Sequence, residues 1–256
     1  MSSIPVTKVL WATFGLMVIN NVSQLALTFR QATNNKLISH LTLTVSSLTL
    51  IVYYFILIDI DVEGQSILIR KVSWIVSFPL VFLELGLISG ISIQENIVLI
   101  LNGVGMSLCG LLGTNRGLNN RLRWPLILLS WMFWISVARE LLTNGIRSSY
   151  RNSDRVGRFM SLMIASNVIL TTGYLVIWTL SNKIEPFLQT TLLSILDLFS
   201  RTIFGTILLI SLTTIPESNV VVSNWYHQAQ IRNSIGGSAL GIDEDNPSVI
   251  INSEET

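Results

Sequence analysis

The feature that most constrains this chain is the recurring length of its apolar stretches. Seven blocks, at roughly residues 6–29, 37–59, 70–91, 96–114, 124–143, 158–181 and 187–213, approach or exceed the ~20 residues a helix needs to cross a bilayer core. Backbone amides in hydrocarbon have no water to bond, so blocks of this length imply helices. The breaks between them are polar, and Arg147 to Arg158 reads as a basic connection before the sixth block. Only 12% of the residues are charged, about half the share of a soluble domain. The first block is long and lacks a small-residue cleavage pattern, so it reads as a span and not as a signal peptide. The expected fold is an all-α membrane protein, a seven-transmembrane-helix bundle over residues 1–215.

Pro216 is expected to end the last helix, because it lacks the amide that continuation needs. Residues 216–256 then turn polar and acidic, with Asp243-Glu244-Asp245 and Glu254-Glu255. They read as a partly disordered cytoplasmic tail, either a solubilising terminus or a docking segment. Lysine and arginine in the short loops set orientation. With the amino terminus outside, Arg30, Lys36, Arg147, Arg151, Arg155 and Arg158 lie inside, opposed by Arg116, Arg121, Arg123 and Lys183 outside.

Several functions are excluded. A net charge of +1 gives no basis for nucleic-acid binding. The single Cys109 allows no disulfide framework. No Ser-His-Asp or metal-ligating constellation appears, and His40 and His227 are isolated, so neither an enzyme nor a metal site is expected.

Ionisable residues within a span are costly and usually face the bundle interior. Here they are Glu84 in the third block and Asp197 with Arg201 in the seventh, while Arg70 starts the third and His40 lies near the inner end of the second. Arg139 and Glu140 are expected at the end of the fifth span, snorkelling to the interface. Asp197 and Arg201 are four residues apart, so they share a helix face and can pair, offsetting part of each burial cost. Two readings stay open: a structural ion pair that pins the seventh helix, or the remnant of a binding site. Glu84 has no local partner and reads either as a proton relay or as a neutral hydrogen-bond donor.

Two stretches carry a resemblance. The third block runs Arg70-Lys71-Val72-Ser73-Trp74-Ile75-Val76-Ser77-Phe78-Pro79, with Glu84 five beyond the proline. It resembles the third-helix motif of the microbial (type-1) rhodopsins: Arg, two residues, a counterion carboxylate, Trp, then Thr-Thr-Pro and a later carboxylate. Leu196-Asp197-Leu198-Phe199-Ser200-Arg201-Thr202-Ile203-Phe204-Gly205 is similar to their Leu-Asp-x-x-x-Lys-x-x-Phe-Gly signature, with Arg201 in the lysine position. Tyr174 and Trp178 match two chromophore-lining aromatics, and Met106, Gly110 and Gly113 match a small-residue ring contact. The resemblance covers the chain to about Leu212.

The departures bear on function. In the family the lysine condenses with retinal to a protonated Schiff base. A guanidinium is a poor amine nucleophile and keeps its charge, so Arg201 is not expected to form that bond, and no covalent retinal is expected. Ser73 stands where the proton-accepting carboxylate belongs, Thr171 where a tryptophan covers one retinal face, and Leu175 where a proline belongs. Arg201 then supplies a fixed cation, Asp197 its counter-charge, and Ser73 avoids a second carboxylate. The site implied by the resemblance comprises Arg201, Asp197, Ser73, Trp74, Ser77, Met106, Gly110, Thr171, Tyr174 and Trp178, with Arg70 and Glu84 along an ion path.

The resemblance points to a lysine-less member akin to the opsin-related proteins of fungi, without pumping and with a structural, stress-related or partner-assembling role. One alternative is a light-independent channel or transporter, in which Arg201 bars cations but leaves anion binding open. Another is a sensor holding a polyene non-covalently between Trp74 and Trp178. Expected partners are the lipid bilayer and a homo-oligomer, a trimer by resemblance, or lysine-bearing rhodopsins. Trp131 and Trp134 either face such an interface, pack within the bundle or meet lipid. The plasma membrane is the expected location.

Overall fold

The computed structural model describes residues 4–30, 36–58, 65–114, 119–181 and 183–214. Seven helical rods, each long and apolar enough to cross a membrane, account for nearly all of them. The first four are α1 (Ile4–Arg30), α2 (Lys36–Ile58), α3 (Gln65–Ser89) and α4 (Ile93–Gly113). The fifth is composite: α5 (Asn120–Glu140), a π-helical stretch Leu141–Gly145, then α6 (Ile146–Asn152). α7 (Asp154–Thr179) is the sixth. The seventh joins α8 (Pro186–Asp197), a π-helical stretch Leu198–Ile203 and α9 (Phe204–Thr214). Pro216 and the acidic segment 216–256 lie outside the described residues.

The helix ends follow from local chemistry. Gly90, at φ 75°, takes the left-handed conformation that a residue with a Cβ resists, turning the chain out of α3. Ser92 then caps α4 in a reciprocal capping box with Glu95. Pro186 opens α8 at a first-turn position where its missing amide costs nothing. Pro79 lies inside α3, where neighbouring rods tolerate it.

The fifth rod departs from the sequence expectation. Residues 147–158 are not a connection, because helix continues to Asn152 and breaks only at Ser153, whose extended backbone caps α7. Arg139 and Glu140 are therefore not at the rod's end. Glu140 accepts a 2.6 Å hydrogen bond from the Asn144 amide, which also reaches Glu95 at 3.3 Å. Polar side chains that bond within the rod and to α4 let helix run on where composition alone signals a loop.

Successive rods pack side by side, and the seventh returns to α1. The third rod is the most buried and the first the least. Trp74, Phe78, Phe82, Met106, Trp134, Tyr174 and Trp178 belong to one continuous core. Trp134 is buried and donates to Thr172, and half-buried Trp131 donates to Thr179. Both indole nitrogens thus point to α7.

Candidate functional site

The seventh rod changes register where its charges lie. A π turn is wider than an α turn, leaves carbonyls poorly bonded and often marks a functional position. In the stretch Leu198–Ile203 the carbonyl of Thr202 accepts from Asn20 Nδ2 at 2.8 Å, Gln24 Nε2 at 2.9 Å and Thr206 Oγ1 at 3.2 Å. Two amides of α1 therefore support the widened turn from which Arg201 projects. Gly205 admits this contact, since a Cβ there would meet Thr42 Cγ2 at 2.6 Å and Gln24 Nε2 at 3.1 Å.

Asp197, fully buried, is the hub. Its Oδ1 accepts from Tyr174 Oη at 2.7 Å and Trp74 Nε1 at 3.1 Å, and its Oδ2 from Tyr53 Oη at 3.0 Å. Two guanidinium groups approach the same carboxylate, Arg70 Nε and Arg201 Nη1, each at 3.7 Å. The pair expected from the four-residue spacing is present, yet Asp197 is shared between two cations. Both contacts are longer than a hydrogen bond. Arg70 finds other acceptors, the Thr190 carbonyl at 3.4 Å and the Ser194 hydroxyl at 3.3 Å, and lies 4.9 Å from the centre of the Tyr53 ring. Arg201 finds none. Its Nε, Nη1 and Nη2 are all without a hydrogen-bond partner, and its guanidinium carbon lies 4.9 Å from the Phe78 ring centre, 5.9 Å from Tyr174 and 6.0 Å from Trp74.

The aromatic rings close on one another. Trp74 and Trp178 meet at 5.1 Å between centroids, Phe78 and Tyr174 at 5.1 Å, and Trp74 and Tyr174 at 5.4 Å. Gly110 gives Trp178 its place, since a Cβ there would lie 2.4 Å from Trp178 Cζ3. Met106 is buried in the same core. Ser77 and Ser73 turn back onto their own helix: Ser77 Oγ donates to the Ser73 carbonyl and Ser73 Oγ to the Arg70 carbonyl. Neither hydroxyl reaches Arg201. Buried Thr171 is 3.5 Å from Asn167 Oδ1.

Glu84 stands apart. It lies eleven residues beyond Ser73, about 16 Å along the helix. It is buried, with Thr42 in hydrogen-bonding reach and its Oε1 without a partner. Asp197, Arg201, Arg70, Trp74, Tyr174 and Trp178 therefore form one cluster, and Glu84 is outside it.

Tyr53, Phe78, Ser194 and Ser200 escaped the sequence reading. Tyr53 carried a usable signal, because a phenol within an apolar block needs a partner. Phe78 carried another, since it replaces a threonine of the Thr-Thr-Pro motif. Ser200, 2.9 Å from Tyr174 Oη, and Ser194 gave none. Among the described residues no cluster of His, Cys, Asp and Glu can hold a metal ion.

Known proteins share this chain's family and fold. A family described as "Bacteriorhodopsin-like protein" matches residues 5–215. Opsin-1 of Neurospora crassa is 23% identical over 246 residues, covering 86% of this chain and 81% of its own. Halorhodopsin of Halobacterium salinarum is 25% identical over 145 residues, 55% of this chain and 52% of that protein. In structure, the light-driven proton pump LR (Mac) of Leptosphaeria maculans superposes with a TM-score of 0.78 at 21% identity, covering 85% of this chain and 98% of that one. Bromide-bound halorhodopsin of Halobacterium salinarum gives 0.76 at 19% identity, covering 84% and 96%.

Proposed function

The chain belongs to the bacteriorhodopsin-like protein family, and within it we propose a member that binds no retinal and pumps no ion. Arg201 is the observation that carries this reading. It projects from the widened turn of the seventh rod, where the family resemblance implies a lysine. A guanidinium does not condense with an aldehyde as an amine does and does not cycle a proton.

Retinal, the chromophore the resemblance implies, does not fit the residues present. The Arg201 guanidinium lies against Phe78, Tyr174 and Trp74, within the space a polyene would need. The 5.1 Å contact of Trp74 with Trp178 leaves no slot for a conjugated chain between them. That contact argues against the covalent pigment and the non-covalent sensor alike. A permanent cation beside the third and seventh rods opposes cation flow, and transport through this centre has no observation in its favour.

The remaining role is structural or partner-assembling within a membrane. Asp197 ties α8 to α2, α3 and α7 through Tyr53, Trp74 and Tyr174. In this reading the site that holds a chromophore in light-driven relatives works as a polar lock. The loop charges support an amino terminus outside and an inner carboxyl terminus, and multi-pass insertion fits a plasma-membrane protein that assembles with copies or other rhodopsins.

Reconstitution with all-trans retinal tests the reading. The native protein should show no visible band beyond free retinal, and a red-shifted band resistant to hydroxylamine would overturn it. Arg201→Lys measures how far the pocket has closed: colour in that variant alone assigns the loss to Arg201, and silence assigns it to the packed rings as well.

A further inference from the structure

The fifth rod is longer than a bilayer core is thick. Near its start, exposed Trp124 lies 5.9 Å from the Arg123 guanidinium, the kind of aromatic that gathers at a membrane interface. From Trp124 to Arg151 the rod rises about 40 Å at ~1.5 Å per residue, about 10 Å more than the ~30 Å hydrocarbon core. α6 and the first turn of α7 therefore stand clear of the hydrocarbon. Arg147 and Arg151 are exposed on α6, and Arg155 and Arg158 on α7. Spacings of four and three place each pair on one helix face. The two helices meet closely, since a Cβ on Gly157 would lie 2.5 Å from Tyr150 Cδ1.

Four like charges gathered at one end repel one another, and the described residues beside them do not answer that charge. Among the described residues the ion pairs are those of Asp197, and none involves these four arginines. Asp154 is the one acid within residues 147–158, and it is its carbonyl that accepts from Arg158 Nε, at 3.4 Å. Glu95 and Glu140, at the same end of the bundle, are engaged with Ser92 and Asn144.

Successive rods alternate in direction, so the seventh ends at this same end, and it packs against α7. Beyond it, residues 233–256 carry Asp243, Glu244, Asp245, Glu254 and Glu255 and no lysine or arginine. We propose that the basic end of the fifth and sixth rods, Arg147, Arg151, Arg155 and Arg158, is the docking surface for the chain's own acidic segment, Asp243 to Glu255. Residues 215–242 are an ample tether, because helix axes in contact lie about 8–10 Å apart and each residue of chain can span about 3.3 Å. A guanidinium takes a carboxylate through two parallel hydrogen bonds. Such pairs are weak singly when exposed, but a tether supplies the partner at an effective concentration of the order of millimolar. Anionic lipid headgroups are the competing occupant, yet their layer ends about 5–7 Å outside the hydrocarbon, short of Arg151. A docked segment covers the arginines against other acidic partners. The contact does not involve Arg201, so it goes beyond the retinal-free reading and fails separately from it.

The test uses the full chain, one copy per phosphatidylcholine nanodisc, with a nitroxide on Ser248→Cys in a Cys109→Ala background. Paramagnetic broadening of the amide NMR lines of residues 147–158 is expected, with those near Arg123 and Lys183 at the opposite end unaffected. The broadening should vanish as salt rises from about 0.1 M to about 1 M, which shortens the screening length from ~10 Å to ~3 Å. It should vanish also when Asp243→Asn, Glu244→Gln and Asp245→Asn are combined, and when the four arginines are replaced by glutamine. The acidic variant leaves the seven rods untouched, so it decides the matter should the arginine variant fail to fold. No broadening in the native chain, or broadening that survives in the acidic variant, overturns the proposal. Arginine-dependent lipid contact in phosphatidylserine discs, with no approach of the nitroxide in phosphatidylcholine, assigns the surface to headgroups and overturns it as well.

Discussion

Replacing Asp197 by asparagine tests the lock directly. The change keeps the shape of the side chain and removes one charge. Three neutral donors converge on the carboxylate, Tyr174 at 2.7 Å, Tyr53 at 3.0 Å and Trp74 at 3.1 Å, and two guanidinium groups stand 3.7 Å away. Side-chain hydrogen bonds within membranes average only about 0.6 kcal/mol. Asparagine can still accept from some of these donors, so that part of the loss is about 1 kcal/mol. The charge dominates. Removing one partner from a buried pair costs about 3–5 kcal/mol because the other ion stays uncompensated, and here two ions are left. The expected total is about 4–6 kcal/mol. Reversible unfolding of Asp197→Asn in bicelles measures it. Combining it with Arg201→Gln should recover on the order of 2 kcal/mol relative to additivity, as contacting charges couple. A cost below about 1 kcal/mol, or strict additivity, would refute the view that Asp197 compensates these cations.

Two further outcomes follow from the packing. Gly110→Ala places a methyl group 2.4 Å from the Trp178 ring and should cost about 1–3 kcal/mol as overpacking. A change in the near-ultraviolet dichroism of the tryptophans should accompany that loss, and an unperturbed spectrum would show that the ring moves freely aside. Gln24→Leu removes the donor to the Thr202 carbonyl and Thr206, and the acceptor of the Ser46 hydroxyl. Its expected cost is about 1–2 kcal/mol at membrane hydrogen-bond strengths, with faster amide exchange across Leu198–Ile203, and unchanged exchange there would separate α1 from the widened turn.

The identity of the cluster was legible where spacing and residue type act together. A spacing of four from Asp197 to Arg201 places both on one helix face, and Arg70, Trp74 and Pro79 mark the third rod by pattern. Glu84 was legible as a buried carboxyl, though not its distance from the cluster or its neighbour Thr42. In the fifth rod the charges of Arg147 and Arg151 hide a helix that continues to Asn152. Composition reports contact with water, and a helix can leave the bilayer without ending.

Seven spans, the third and seventh motifs and the missing amine at position 201 were determined by the sequence alone, because bilayer thickness and covalent chemistry act on short, contiguous stretches. The sharing of one carboxylate by two arginines was decided only in three dimensions. So were the lack of hydrogen-bond partners around the Arg201 guanidinium and the support that Asn20 and Gln24 give the widened turn. Those contacts join residues up to 182 positions apart, and only the packing of α1, α2, α3 and α7 around the seventh rod sets which donors reach Asp197 first.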